Sequence, residues 1–204
     1  RNRIVVVDRP GSVQSELLVG CPGPDRRVEG GWAPYPVLSY LVGGTPNSRL
    51  DAELREKRGY TYGMRSSFRP RSRAGQFVTS GSVRTEVTSA AVEATLDILE
   101  AARNGFTGEE TRSGVDFLVK TAPSRYETAD MIADEAIGRA LDGSDTTEVT
   151  AVLRDTRTLT PERLADAYRR YVDGAWTVVV VGDASAFADD LRALGRGDLT
   201  LVDG

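Results

Sequence analysis

Two side chains with hydrogen-bond donors flank a glycine in the stretch "ELREKRGYTYG", Glu53 to Gly63. Arg55 precedes Gly59, and Tyr62 follows it. Arginine carries a permanently charged, planar fork of N–H donors, and tyrosine carries a neutral O–H donor. Two such donors that point to one place can hold a carbonyl oxygen or stabilise an oxyanion. The residue types therefore allow part of an active site, but one without a nucleophile or a metal ligand.

A structural explanation exists for each of the two residues. A cation in the last turn of a helix is favourable because it opposes the helix dipole, so Arg55 needs no function. Alternation along a strand places Tyr62 on the same face as Met64 and Phe68, where its ring would belong to the core. The spacing alone favours the structural explanation and leaves the functional one open.

The elements around this pair are readable from local patterns. The run "NSRLDAELREKRG" predicts a short helix with Ser48 as its N-cap, Leu50 and Leu54 on its buried face, and Gly59 as the residue that ends it. The runs "TYGMRSSFR" and "GQFVTSGSV" alternate as strands around a turn. A turn at Gly59 would fold the polar tips of the helix end and the strand start toward each other.

The order of elements predicts an α+β domain. Two strands, "RIVVVD" and "VQSELLVGC", come first and are interpreted as an antiparallel hairpin. Two helices, two strands and a mostly helical region follow, and "WTVVVVGD" near the end is a buried strand. Consecutive hairpins indicate an antiparallel sheet, and helices must cover one of its faces. We therefore expect residues 1–204 to form a single α+β domain.

Composition excludes several classes of function. The 204 residues include no histidine and one cysteine, Cys21, which rules out His-based nucleophilic triads and His- or Cys-based zinc sites within this chain. The net charge of −4 argues against a nucleic-acid partner. No run of 18 apolar residues exists, so no membrane-spanning helix is expected. We predict no cofactor and no metal in this chain.

Three other groups of residues invite a functional interpretation. A basic cluster at a hairpin could attract an acidic peptide or an acidic partner surface, although a solvated strand face explains it as well; it consists of Arg65, Arg69, Arg71, Arg73 and Arg84. Among the carboxylates Glu109, Glu110 and Asp116, the first two lie in the first turn of a helix, where the dipole explains them. Gly43-Gly44 matches no phosphate-binding pattern and reads as a turn between helices.

The chain resembles the second, zinc-free half of the insulinase/pitrilysin superfamily. These are the inverted zinc-motif metallopeptidases, which include the mitochondrial processing peptidase. The resemblance rests on Gln14-Ser15, the Gly43-Gly44 turn, "SRLDAELREKRGYTY" and the following small-residue hairpin, and it extends over "FTGEE" and "PSRYETADMIADEAIGRAL".

The resemblance implies a fold and a mechanism. Two similar α+β halves face each other around a chamber, and the first half carries His-x-x-Glu-His, binds zinc and activates water. The second half closes the chamber, and in many members it supplies an Arg and a Tyr seven positions apart that bind substrate carbonyl or oxyanion. Those positions are Arg55 and Tyr62 here; Tyr60 is nearby, but the spacing favours Tyr62. The implied partners are a homologous half or subunit with the zinc motif and a peptide substrate.

Several alternatives stay open at this point. The chain could be a structural member of the superfamily, like the core proteins of the respiratory cytochrome bc complex, or a peptide-binding assembly module with no role in catalysis. It opens on "RNRIVVVDRPG" without a methionine, which favours a fragment of a longer chain. We expect it to be inactive alone, to be able to pair with itself when isolated, and to be cytoplasmic.

Overall fold

The computed structural model describes residues 2–70 and 74–204. Within these residues, six strands form one sheet: β1 (Arg3–Asp8), β2 (Gln14–Gly23), β3 (Arg65–Arg69), β4 (Gly75–Arg84), β5 (Thr177–Gly182) and β6 (Asp198–Asp203). Their order across the sheet is β3-β4-β2-β5-β1-β6.

The helices fill the segments between the strands, most of them between β4 and β5. Two short helices, α1 (Pro34–Ser39) and α2 (Arg49–Asp51), each continue as a π-helical turn, over Tyr40–Gly44 and Ala52–Lys57. The other α-helices are α3 (Thr88–Ala101), α4 (Gly108–Thr121), α5 (Ala129–Asp142), α6 (Thr146–Thr156), α7 (Pro161–Tyr171) and α8 (Ala188–Ala193). Among the described residues, no helix has the length and apolar content that a membrane span needs.

The hydrophobic core lies on one face of the sheet, as expected for an α+β domain. Alternate residues of the strands point into it, and helix residues pack against them. The strands contribute Ile4, Val6, Leu17, Val19, Phe77, Val178 and Val180, and the helices contribute Leu96, Leu99, Leu164 and Tyr168, all 1% exposed or less. The predicted fold class, with helices on one face of a sheet, is confirmed.

The sheet is mixed, and the predicted hairpin of β1 and β2 is wrong. Strand β5 lies between them, parallel to β1 and antiparallel to β2, so that Val5 pairs with Val179 and Val179 in turn with Leu18. Strand β1 is also parallel to β6, whereas the β2–β4 and β3–β4 pairs are antiparallel as expected. The turn after Asp8 reverses the chain, but a local turn signal does not specify which strand becomes the neighbour.

The opposite side of the sheet is only partly covered. We call it the open face, and define it by the strand residues that point away from the core. Their exposure ranges from half-buried valines to exposed polar side chains. The open face comprises Val5, Val7, Gln14, Glu16, Leu18, Arg65, Ser80, Ser82, Arg84, Val179 and Val181.

Candidate functional site

Arg55 and Tyr62 line the same cavity. Its volume is about 510 Å³, and it lies where the end of the π-helical turn after α2 meets β2 and β4. The cavity is lined by Gln14, Arg55, Glu56, Gly59, Tyr60, Thr61, Tyr62, Ser82 and Arg84. Three of these residues belong to the open face, so the cavity is continuous with that face at the end of β2 and β4.

The helix end turns back sharply at Gly59, which brings the two side chains together. The amide of Gly59 donates to the carbonyl of Arg55 at 3.1 Å, and the amide of Tyr60 donates to the carbonyl of Leu54 at 2.8 Å. Gly59 has a φ of +62°, in the left-handed region that a glycine adopts without strain. Gly59 therefore ends the helix as the sequence predicts.

The segment after Gly59 is tied to β4 before β3 begins. Thr61 forms an isolated antiparallel bridge with Val83. The Arg84 guanidinium donates from Nη1 to the carbonyl of Gly59 at 2.9 Å, and the Arg84 amide donates to the carbonyl of Tyr60 at 3.4 Å. Tyr62 therefore sits in a short connection that is fixed on both sides by β4.

Tyr62 does not share a face with Met64 and Phe68, and the prediction that it does is wrong. Strand β3 begins only at Arg65, so strand alternation does not extend back to Tyr62. Met64 and Phe68 are buried, whereas Tyr62 is 92% exposed. The explanation of Tyr62 as a core residue is excluded by this exposure.

Arg55 is also accessible from solvent. Its side chain is 40% exposed, and its Nε lies 3.3 Å from Oε1 of Glu56, a pair in which both partners are exposed. Such surface pairs contribute little to stability, so the pairing leaves the guanidinium free to bind an acceptor. The cavity thus contains a charged donor fork and a neutral hydroxyl donor, which together can hold a carbonyl oxygen or an oxyanion.

Two carboxylates near the cavity, Glu53 and Glu86, are paired with cations. Hydrogen bonds from Arg58 and Lys57 hold the pKa of Glu53 below its usual range. The pKa of Glu86 is also lowered, first by a hydrogen bond to its own backbone and then by Arg84, whose Nε lies 2.7 Å from Oε1. These carboxylates therefore stay ionised near neutral pH and offer no general acid.

No metal site is found in the part of the chain that the structure describes. No group of three or more His, Cys, Asp or Glu residues is arranged there to hold an ion. Cys21 is buried on the core side of the sheet, and burial, with the charge of Asp173, raises the pKa of its thiol to about 12. A thiol of that pKa stays protonated at neutral pH and is a poor nucleophile.

The basic cluster is partly neutralised. Arg65 pairs with Asp51 at 3.0 Å, Arg84 pairs with Glu86, and Nε of Arg69 donates to the hydroxyl of Ser67. The other two members, at positions 71 and 73, lie outside the described residues.

The remaining candidates have structural roles. Glu110 completes a capping box with Thr107 and pairs with Arg49 at 2.8 Å, while Asp116 pairs with Lys120. Gly43 packs against β3, where an added Cβ would lie 2.8 Å from the amide of Ser66, so the glycine serves a close contact and not a phosphate.

Sequence reasoning did not place three strand residues, Gln14, Ser82 and Arg84, in the cavity with Arg55 and Tyr62. Gln14 pairs with Arg84 across the β2–β4 ladder, and Glu16 pairs with Ser82. Alternation along β2 and β4 places these three residues on one face of the sheet. The register of β2 against β4, which brings them beside Arg55, cannot be predicted from the sequence of either strand.

The family described as "Peptidase M16 inactive domain" matches residues 1–116. No curated protein sequence matches the chain. Among solved structures, the peptidase M16 inactive domain from Pseudomonas fluorescens has a TM-score of 0.80 and 24% identity, over 89% of this chain and 44% of its own.

Two further structures share the fold. A chain of complex III2 from Candida albicans has a TM-score of 0.76 and 10% identity, and the alignment covers 95% of this chain and 48% of that one. A protease from Helicobacter pylori has a TM-score of 0.74 and 18% identity, and the alignment covers 88% of this chain and 44% of that one. The chain therefore spans less than half the length of these relatives.

Proposed function

The chain belongs to the family of peptidase M16 inactive domains, and from this premise we propose that it is the zinc-free half of a two-part zinc peptidase. In this proposal, residues 1–204 are the C-terminal half of a longer peptidase or a separate subunit, and they close a peptide chamber. In this proposal the zinc and its His-x-x-Glu-His motif belong to a homologous half, since the sequence of this chain contains no histidine. The proposed compartment is the cytoplasm.

One observation carries the proposal: Arg55, in the π-helical turn after α2, and Tyr62, in the connection to β3, line one accessible cavity at the edge of the open face. A peptide carbonyl needs donors that are already in place when negative charge develops on its oxygen. The guanidinium of Arg55 supplies charge and a fork, and the phenol of Tyr62 supplies one directional hydrogen bond. We infer that both groups reach into the partner's active site and that neither acts there as a base or nucleophile.

The open face supports a role in holding a peptide. Half-buried valines and the exposed Leu18 form an apolar surface beside polar Glu16 and Ser82. A surface of this kind, continuous with the cavity, can accommodate an extended peptide whose side chains alternate between apolar and polar contacts. The substrate in this proposal is therefore a peptide in extended conformation.

A second candidate function is structural, without a role in catalysis. It is favoured by helix α5, where Ile132, Ile137 and Leu141 are at least half exposed, as expected for a surface that a larger assembly covers. The similarity to a chain of complex III2 agrees with this alternative at the level of the fold. The two functions differ in the consequence of altering Arg55 or Tyr62, which only the peptidase function requires.

Co-expression with a homologous half that carries His-x-x-Glu-His tests the proposal. We expect the two chains to co-purify, and the complex to cleave an unstructured peptide in a reaction that a chelator abolishes, while each half alone is inactive. The matched control is a complex with Arg55→Ala and Tyr62→Phe combined. A complex that cleaves peptide equally well with and without these two changes would support the structural alternative.

A further inference from the structure

The direction of the Tyr62 side chain is set by its backbone, not by packing. The ring is 92% exposed, and within the described part of the chain its hydroxyl makes no hydrogen bond. A ring as exposed as this takes its orientation from the rotamers that its backbone allows, whereas an oxyanion donor must be preorganised. Whatever orders Tyr62 must therefore act on the backbone of residues 61–63.

The side chain of Thr61 holds this backbone on both sides of Tyr62. Two carbonyl oxygens are within reach of its Oγ1, that of Ser82 at 2.7 Å and that of Gly63 at 3.2 Å. The hydroxyl donates to the nearer one, the carbonyl of Ser82. The same oxygen accepts from the amide of Gly63 at 3.0 Å. One hydroxyl thus joins the residue before Tyr62 to the residue after it and ties both to β4.

The Thr61–Val83 bridge and the hydrogen bond from the Arg84 amide to the carbonyl of Tyr60 also hold the first half of this connection. Two further side chains contact it, and they are less well suited to positioning Tyr62. Arg84 bonds the carbonyl of Gly59, but this lies three residues before Tyr62, and the Arg84 side chain is 53% exposed. Asp51 accepts from the amide of Met64, beyond Gly63. Thr61 is half-buried and adjacent to Tyr62, so its hydrogen bonds are better shielded from water and act directly on the tyrosine's own peptide units.

We propose that Thr61 is a positioning residue, which fixes the backbone of residues 61–63 and thereby aims the Tyr62 hydroxyl into the cavity. The predicted effect of Thr61 on turnover rests on the proposed function. The predicted effect of Thr61 on the order of the Tyr62 ring does not. Thr61 itself touches no substrate. Valine at this position has nearly the same shape and lacks the hydroxyl, whereas serine keeps the hydroxyl and lacks the methyl group, so the two variants separate hydrogen bonding from packing.

The structural consequence is testable on the isolated chain by ¹⁹F NMR with 3-fluorotyrosine. The Tyr62 resonance is identified as the one that disappears in Tyr62→Phe. We expect Thr61→Val to shift and narrow this resonance because the ring becomes more mobile, and Thr61→Ser to leave it near its original position. The resonances of the other tyrosines report whether the fold is intact. An unchanged Tyr62 resonance in a folded Thr61→Val chain overturns the inference.

The kinetic consequence is testable by a double-mutant cycle in the two-part peptidase. Misplacement of a catalytic group by about 1 Å can cost roughly 100-fold in rate, so we expect Thr61→Val to lower kcat by ~10- to 100-fold and Thr61→Ser to restore most of it. Because Thr61 acts through Tyr62, adding Thr61→Val to Tyr62→Phe should cause no further loss.

The outcomes of the cycle separate the inference from the proposed function. If Tyr62→Phe lowers kcat and Thr61→Val either leaves kcat unchanged or multiplies the loss independently, the positioning role is wrong while the proposed function stands. If Tyr62→Phe itself has no effect, the proposed function fails, and the ¹⁹F experiment alone decides whether Thr61 controls the tyrosine.

Discussion

The carboxylate of Asp51 and the guanidinium of Arg65 form an ion pair at 3.0 Å in which one partner is buried and the other is exposed. The side chain of Asp51 is fully buried, and it also accepts from the amide of Met64 at 2.6 Å, while that of Arg65 is 57% exposed. Asp51 thus joins α2 to the start of β3, the two elements on either side of the segment that contributes Arg55 and Tyr62 to the cavity.

Removal of the buried partner should be the more harmful change. Asp51→Ala leaves the Met64 amide without its acceptor, and we expect a loss of ~2–3 kcal/mol in the free energy of unfolding. Arg65→Ala should cost at most about 1 kcal/mol, because the arginine is largely in water. Urea denaturation of both variants measures the difference. Equal losses would mean that the ion pair, and not the hydrogen bond to the backbone, fixes this junction.

Glu110 should make stability depend on pH. Burial opposes its charged form, but hydrogen bonds from Arg49 and from the Thr107 amide outweigh burial and hold the pKa of the carboxyl below its usual range. Its contribution is therefore complete above about pH 4.3, the pKa of an unfolded glutamate, and is lost as the pH falls through the folded pKa.

We therefore expect Glu110→Gln to reduce the free energy of unfolding by ~1–2 kcal/mol at pH 7 and by less at pH 3, because the native carboxylate takes up a proton as the pH falls. Glu109→Gln, at the exposed neighbouring position, serves as the control and should change little at either pH. Urea titrations at the two pH values provide the comparison. If Glu110→Gln lowers the free energy of unfolding by the same amount at pH 7 and at pH 3, the charged hydrogen bond to Arg49 is not the cause of the loss.

Local patterns in the sequence predicted the parts of the fold that depend on neighbouring residues. The helix around Leu50 and Leu54, its end at Gly59 and the capping box at Thr107 follow from side chains within a few positions of one another. The structure has each of them, with Leu50 and Leu54 fully buried.

Features that depend on distant residues could not be predicted in this way. Strand β5 lies between β1 and β2 although about 160 residues of sequence separate β5 from these two strands. Its valines match the apolar alternation of both neighbours. The same limit hid Gln14 and Arg84, which meet only through the register of β2 and β4. Tyr62 was misplaced for a different reason, since alternation holds only inside a strand and β3 begins three residues later.

The metal content of the separate parts should differ. We expect the isolated chain to contain only trace zinc after dialysis, and its complex with the homologous half to contain one zinc per pair. Elemental analysis of both samples measures this directly. A stoichiometric metal ion in the isolated chain, or peptide cleavage by it that a chelator stops, would contradict the assignment of the zinc site to the partner.

Arg55 should affect catalysis through its fork as well as its charge. Arg55→Ala in the two-part peptidase should lower turnover without lowering the melting temperature, since the side chain is accessible and its pairing with Glu56 is a weak surface contact. Arg55→Lys retains the charge but loses the planar fork, and we expect it to recover only part of the activity. Lys57→Ala is the control, because this residue is in the same helical turn but does not line the cavity. Full activity in Arg55→Ala would remove the arginine from the site.

Tyr62 offers the most selective test of the proposed site, because a second tyrosine lines the same cavity. Tyr62→Phe removes one hydroxyl from a ring that is 92% exposed, so the melting temperature should not change. Loss of one preorganised oxyanion donor typically costs about 100- to 1,000-fold in turnover, and we expect a loss of that order with little change in KM. Tyr60→Phe makes the same chemical change at the half-buried neighbour, whose ring packs beside Arg58, and should leave turnover near normal. Steady-state kinetics of the two variants, with melting temperatures measured on the same samples, decide the question. Equal turnover in the two variants, whether normal or reduced, would mean that the Tyr62 hydroxyl is not the donor.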